Sequence, residues 1–551
     1  MYAQTILEQA PRVLSLMDRE ALSHTAGCCD RTYWAWKFVD FPGARFQEAL
    51  CVMGFLYTIK FENNCYVENE QLLEWIESGL KFWSKIQYAD GSFDEAYPFE
   101  RSLAATAFTT FYIGEALEFV GKSLSHDTMS RVRQTMAKSG DWLVQNDETH
   151  GLLSNHLAAA VAALFHVYRM TGDEKFEKRS RYFLRKILDH QSSEGWYQEY
   201  GGADPGYQTH GSFYLTRYWE LTQDQELYES LGRSVAWLSY FIHPDGSLGG
   251  EYTSRNTQTY YPAAFEKLAQ YHSGAGWIAD TMRPSVFNAA AAGIKCVDIY
   301  NYFPFLNNLV FAYLACQDGR TSRPVPSPPS NQGGLTYFPQ AGMLRMQTQF
   351  YEAFVGTCKG GVMKVFDRTR NRSVYSDCGY MGSLHDGRMI STHYHDLHRR
   401  IDVTNNRVEI FGNFFEVSRP QMTPIRFLGF RLFNVTLGRL AFLGRWLKHY
   451  LVEILIYRKV AVNIQFTRVI EFEDEYVRVQ DHLKGPDGKR VRHLQWGERF
   501  TTIHMGSSRY FVMNELQKFD KGGSAKKEID PQNLSSGVTL ERLVSFHGDK
   551  G

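Results

Sequence analysis

The chain lacks an excess of charge of either sign: across 551 residues, 60 Lys and Arg balance 60 Asp and Glu. A balanced surface sets up no long-range field for a polyanion, so nucleic acid is excluded as an expected partner and any anionic ligand must be met by local groups. Cysteine is scarce, with residues at 28, 29, 51, 65, 296, 316, 358 and 378 and no CxxC pair among them. That spacing excludes a zinc ribbon and leaves reduced, mostly buried thiols as the expectation. The opening stretch MYAQTILEQAPRVLSLMDRE lacks the basic start and unbroken apolar core of a signal peptide. It reads as an acidic amphipathic helix, and a cytoplasmic location is expected.

What is present is a repeat carried by loops. Four segments share a pattern: DGSFDEAYP at 90–98, HGLLSNH at 150–156, EGWYQEYGG at 194–202 and DGSLGGEYTSRN at 245–256. Their glycines, Gly91, Gly151, Gly195 and Gly246, stand 60, 44 and 51 residues apart, room each time for two helices and a turn. The stretches 104–120, 129–145, 157–170 and 225–241 carry apolar residues at three- and four-residue spacing, as helices do. A helical hairpin cannot bury its apolar face alone. Successive pairs must therefore stack, and a curved stack presents equivalent loops on one side, where a funnel is the natural ligand site. Residues 1–317 are expected to form an incomplete (α/α) toroid.

The period changes after Cys316. Residues 318–334 are rich in proline and glycine and read as a linker. From 335 to 551, short β-branched or aromatic segments such as GGVMKVFDR, RVEIFGNFFEVS and EYVRVQDHL predict an antiparallel β-sandwich. One insertion, about 422–457, does not fit a sheet: it is apolar and carries Arg426, Arg431, Arg439, Arg445 and Lys448 against a single acid, Glu453. It is too interrupted to span a bilayer. Peripheral membrane contact, packing on the toroid and contact with another subunit in an oligomer all stay open.

Chemistry-bearing residues gather in the repeat loops. Asn155 and His156 precede an Ala-rich helix, where an amide donor and the helix start favour an anion; capping is the competing role for Asn155. The turn-rich loop 200–212 mounts Tyr207, a candidate general acid/base, with His210 and Glu199 beside it. In the last loop, Arg255 can clamp a carboxylate, flanked by Glu251 and Asn256, or can pair with Glu251. In the second domain, His393 and His395 would share a face of an extended strand, which suits a base or a metal site.

Taken together, the helical repeats followed by a sandwich, Asn155-His156, the Asp-Pro-Gly-Tyr-Gln-x-His run at 204–210 and the His-x-His at 393–395 resemble the heparinase II/III-like polysaccharide lyases. Alginate oligosaccharide lyases and dermatan-type uronyl C5-epimerases share the plan. The resemblance implies that Asn155 and His156 neutralise a substrate carboxylate, that Tyr207 exchanges a proton with C5 or the leaving oxygen, and that His393 is the partner base, with His385 and His395 as rivals. It implies Arg255, Asn256, Glu251, His210 and Glu199 as substrate-binding residues. No cofactor is required, although His395 could join a structural zinc site; here Asp396 follows it immediately, where the lyases usually have a small residue first.

The expected activity is β-elimination on a uronate-containing poly- or oligosaccharide. A C5-epimerase begins with the same proton abstraction, and a non-catalytic glycan-binding protein would keep the funnel without the base. A glycoside hydrolase using Glu95, Glu199 and Glu251 ranks lower, because hydrolysis needs neither an Asn-His pair nor a tyrosine.

Overall fold

The computed structural model describes residues 1–148, 151–317, 333–417, 421–452, 459–499, 509–517 and 528–546. The expected linker at 318–334 lies outside them except for Gly333 and Gly334. Among the described residues before 318 run α1 (Tyr2–Leu16), α2 (Ala49–Thr58), α3 (Glu70–Lys85), α4 (Leu103–Val120), α5 (His126–Gln145) and α6 (Ser154–Thr171). They are followed by α7 (Glu174–Asp189), α8 (Pro205–Thr222), α9 (Gln225–Leu238), α10 (Ala263–Leu268), α11 (Ser273–Asn288) and α12 (Ile299–Gln317). The even-numbered helices form an inner ring in which each packs on the next and α12 packs back on α2.

Sequence decides which helices go inside. Helix α4 is buried without a break from Leu103 to Ala116, and the small residues Ala158, Ala159, Ala160, Ala162 and Ala163 let α6 lie close to both α4 and α8. The outer helices α3, α5, α7 and α9 are amphipathic, each starting at a capping Asn, Ser or Asp side chain, namely Asn69, Ser125, Asp173 and Asp224. The repeat glycines have a physical reason. Gly91 and Gly195 adopt φ of 96° and 108°, and a Cβ on either would lie 2.1 Å from Lys138 O on α5 or 2.4 Å from Arg233 O on α9. Only glycine lets the loop rest on the outer helix of the following pair. The neighbouring Gln87 and Gln191 make matching bonds, Nε2 donating to the loop-glycine carbonyl and to Thr135 O or Ser230 O.

The rest of the described chain is mainly sheet. Strands β1 (Gly334–Phe338), β2 (Met343–Gln347), β3 (Tyr351–Gly356), β4 (Val362–Asp367) and β5 (Arg372–Asp377) form one antiparallel sheet in that order. A second contains β6 (Tyr380–Leu384), β7 (Met389–Ser391), β8 (Ile401–Thr404), β9 (Arg407–Val417), β10 (Ala461–Phe472), β11 (Tyr476–Lys484), β12 (Val491–Trp496), β13 (Glu528–Ile529) and β14 (Val538–Ser545). Strands β2 to β5 of the first sheet are buried on both faces. Leu344, Ala353, Val355, Met363 and Val365 point to the second sheet, and the alternate residues Met343, Phe354, Val362 and Phe366 join the core of the toroid. That alternation leaves β3 and β4 buried along their whole length.

The insertion leaves and returns between paired strands β9 and β10 as two helices, α13 (Pro424–Val435) and α14 (Ala441–Val452). It packs on the toroid: Arg431 pairs with Asp40 at 2.9 Å, Lys448 with Glu100 at 3.3 Å, and Arg101 donates to Arg439 O at 2.8 Å. Residues 453–458, the end of the expected insertion, lie outside the described residues.

Between the two sheets sits a buried ion cluster. Arg468 donates to Asp481 at 2.7 and 2.8 Å and to Asp377 at 3.0 Å, Arg542 reaches both carboxylates, and Tyr380 Oη donates to Asp481 at 2.6 Å. Two cations against two anions make the burial tolerable, and removing one partner strands the rest. Asp481→Asn is expected to cost about 3–5 kcal/mol in chemical denaturation. A loss below about 1 kcal/mol would contradict the assigned role of the cluster.

Candidate functional site

A cavity of about 810 Å³ opens over the inner ring, walled by the repeat loops and by Phe427, Arg431, Lys448 and Leu451 of the insertion. Of the residues expected to act on or bind substrate, Asn155, His156, Tyr207, His210 and Arg255 line it, as does Glu95, the acid considered for hydrolysis.

The first wall is the start of α6. Leu153 is the N-cap and its side chain makes no capping bond, so capping is not the role of Asn155. Instead Ser154 Oγ donates to Gln198 O and Asn155 Nδ2 to Glu199 Oε1, both at 2.7 Å, tying this loop to the next. Glu199 therefore sits behind Asn155 rather than on the cavity lining, and burial pushes its carboxyl up to about 7 against the pull of His156 and Asn155. His156 holds Glu148 through Nδ1 at 2.8 Å. Burial alone would lower its pKa, but the hydrogen bond and charge of Glu148, aided by Glu199 and Glu95, raise it above the ordinary imidazole value.

The second wall is built on Asp204, the N-cap of α8, which precedes Pro205 at the first helical position. Its Oδ1 accepts from Tyr207 N at 3.1 Å. Its Oδ2 accepts from Thr253 Oγ1 at 2.8 Å, Arg255 N at 3.0 Å and Thr257 N at 3.3 Å. One carboxylate thus fixes the loop of Tyr207 against the loop of Arg255. The Arg255 guanidinium lies 4.3 Å over the Tyr200 ring and hydrogen-bonds the Tyr207 hydroxyl. Burial raises the pKa of Tyr207, and Arg255 works against that rise.

One turn along α8, His210 bonds Tyr214 Oη through Nε2 at 2.9 Å and stacks on Tyr261 at 4.2 Å. Burial, then the charges of Arg45 and His156, push its pKa far below the ordinary value. The cavity therefore holds two imidazoles driven in opposite directions, His156 towards the cation and His210 towards the neutral ring.

The remaining candidates stand elsewhere. Glu251 pairs with Lys364 at 2.7 Å, and Asn256 accepts from Lys359; both hold the toroid to the sheet and neither lines the cavity. His393 is fully buried in the irregular stretch after β7, its ring edge towards Gly379, and does not line the cavity. Strand β7 ends at Ser391, and His393 and His395 have different neighbours, Gly379 for the first and Gly202 for the second. His395 packs under Gly202, and burial with the charges of Lys359 and Lys459 pushes its pKa down to about 3. A ring so placed among cations is a poor metal ligand, and no group of three His, Cys, Asp or Glu able to hold a metal occurs among the described residues. The residues do not fit a zinc site. His385, the other rival, is exposed.

Sequence reading missed Arg45 and Glu148, took Glu95 only as a hydrolase acid, and quoted Asp204 only as part of the 204–210 run. Arg45 pairs with Glu48 at 2.8 Å and Glu95 at 3.2 Å and lies 4.5 Å over Phe108, on the cavity wall. Nothing local marks it. Asp204 did carry a signal, because Asp followed by Pro at a helix start is a capping pattern.

Comparison with known proteins agrees with this geometry. Residues 44–264 match the family model of the ulvan lyase N-terminal domain. The X-ray structure of the Streptomyces coelicolor A3 chondroitin AC lyase in complex with chondroitin sulphate overlays with a TM-score of 0.55 at 11% identity, covering 90% of this chain and 67% of that one. A Paenibacillus xanthan lyase gives 0.51 at 10% identity, covering 90% of this chain and 46% of that one. This chain thus spans about two-thirds of the first and under half of the second. No curated protein matches. The chain is therefore similar to polysaccharide lyases in two ways, through the ulvan lyase N-terminal model over residues 44–264 and through the fold of toroid followed by sheet domain.

The electrostatics of His156 give a test. Its raised pKa keeps the imidazolium present above the ordinary value near ~6.5, and binding of an anionic ligand is lost as pH rises through its titration. Glu148→Gln should move that titration to lower pH, followed by NMR of the ring. A titration that stays where it was would rule out the pair.

Proposed function

We propose that the protein cleaves a uronate-containing glycan by β-elimination, with Tyr207 as the proton-transfer group. The observation that carries this reading is the joint placement of Tyr207 and Arg255 by Asp204, facing a cavity that also presents Asn155 and a cation-prone His156. A uronate C5 proton is too weakly acidic to leave while the adjacent carboxylate keeps its full charge. Donors that take up that charge lower the barrier, and Asn155 with His156 supplies them. Burial keeps the Tyr207 hydroxyl mostly protonated, so the reaction runs through the minor phenolate fraction that Arg255 favours: that phenolate accepts the C5 proton, and the electron pair forms the C4–C5 double bond as the C4–O bond breaks. The phenol then returns the proton to the leaving oxygen. Because the cavity lining does not include His393, both transfers fall to Tyr207. Arg45, which lies over the Phe108 ring that His156 also packs against, adds a cation for the substrate acid groups.

Incubation with glucuronate, iduronate, mannuronate and guluronate polymers, followed by the ultraviolet absorbance of the unsaturated uronate, tests the reading. Tyr207→Phe should lower turnover by about 10²–10⁴-fold while leaving the unfolding transition in place. Near-wild-type turnover in that variant would remove Tyr207 from the chemistry. Deuterium entering C5 without absorbance would identify an epimerase instead, and binding with neither signal a non-catalytic receptor.

A further inference from the structure

Helices α13 and α14 have two unlike faces. The inner face is accounted for: Arg431, Lys448 and Phe430 engage Asp40, Glu100 and Tyr97 of the toroid, and Phe427 and Leu451 line the cavity. The outer face is not. On α13, Ile425, Leu428 and Leu432 recur every three or four residues and are 84%, 69% and 61% exposed; on α14, Phe442, Trp446 and Tyr450 recur every four and are 61%, 59% and 51% exposed. Such spacing places each trio in one stripe along its helix. A continuous apolar surface of this kind marks an interaction site rather than scattered exposure.

Charge narrows the choice of occupant. Residues 421–452 contain five Arg and Lys and no Asp or Glu. Lys448 and Arg431 are paired with the toroid, but Arg426 and Arg445 have no ion-pair partner among the described residues, and both are exposed. Apolar stripes beside uncompensated arginines, with a stacked Trp446–Tyr450 pair at 5.8 Å, match a helix that lies in the headgroup region of an anionic bilayer. Twelve residues per helix are too few to cross one, and no helix of the described residues is long and apolar enough to do so. A second copy fits less well: self-association through this face would bring like charges together, with the insertion's five Arg and Lys set against the single acid Glu453.

We infer that the outer face of the α13–α14 hairpin docks on an anionic lipid membrane. The hairpin lies in the plane of the surface, with its apolar stripes in the lipid and Arg426 and Arg445 on headgroup phosphates. Its inner face meanwhile stays part of the cavity wall, so docking sets the cavity beside the membrane. This inference rests on the hairpin alone and does not depend on the reaction assigned to the cavity.

Co-sedimentation of the full chain with phosphatidylcholine vesicles, with and without phosphatidylglycerol, tests it. Binding is expected only to the anionic vesicles and should weaken with salt. Leu428→Asp with Trp446→Asp should lower partitioning by at least about tenfold, since charges replace inserted apolar groups. Arg426→Gln with Arg445→Gln should cost about fivefold for each arginine and erase the preference for phosphatidylglycerol. Neither pair lines the cavity, and circular dichroism checks that both variants fold. No binding to anionic vesicles, or equal binding by wild type and the Asp variant, would overturn the inference. So would a wild-type dimer in sedimentation velocity that the Asp variant dissociates, since a second copy would then cover the face.

Discussion

Asp204 is a buried carboxylate that four donors from two loops share, and the arrangement of the site depends on it. Taking a carboxylate out of water is costly, and burial accordingly raises its pKa, while the hydrogen bonds from Tyr207, Thr253, Thr257 and Arg255 act to keep it ionised. The cost is offset only while all four donors point at it. Tyr207 and Arg255 are therefore held in one relative geometry without either side chain being used for the purpose, which leaves the hydroxyl and guanidinium to face the cavity.

The sheet domain holds the toroid. Lys359 donates to Thr253 O at 2.7 Å and to Asn256, Lys364 pairs with Glu251, and Gly356 passes so close to Tyr252 that a Cβ would lie 2.3 Å from its carbonyl oxygen. Phe354 and Phe366 complete the contact by packing on His243 at 4.5 and 4.6 Å. Each buried ring stabilises the junction by roughly 1.5–3 kcal/mol. All these contacts bear on residues 243–256, so the second domain braces the loop that carries Arg255.

Periodicity made the helices and strands legible, and the loop glycines marked the repeat because only glycine can rest on the neighbouring helix. Asn155, His156 and Tyr207 were legible because they sit at helix starts, where local sequence and position coincide. Long-range pairings were not. Nothing near Arg45 announces that it will lie over the Phe108 ring that His156 also packs against, and Glu148 acquires its role only when the chain before α6 folds back on the imidazole. His393 shows the reverse failure, since strand β7 ends at Ser391 and the alternation of a strand is no guide to the residues beyond it.

The central claim is that a uronate sits with its carboxylate on Asn155 and His156 and its C5 against residue 207. A crystal structure of the Tyr207→Phe variant soaked with a uronate oligosaccharide measures this directly. The account predicts carboxylate oxygens within hydrogen-bonding distance of Asn155 Nδ2 and the His156 ring, with C5 facing the substituted side chain. A sugar whose carboxylate lies away from this pair, or whose C5 faces another wall, would contradict it.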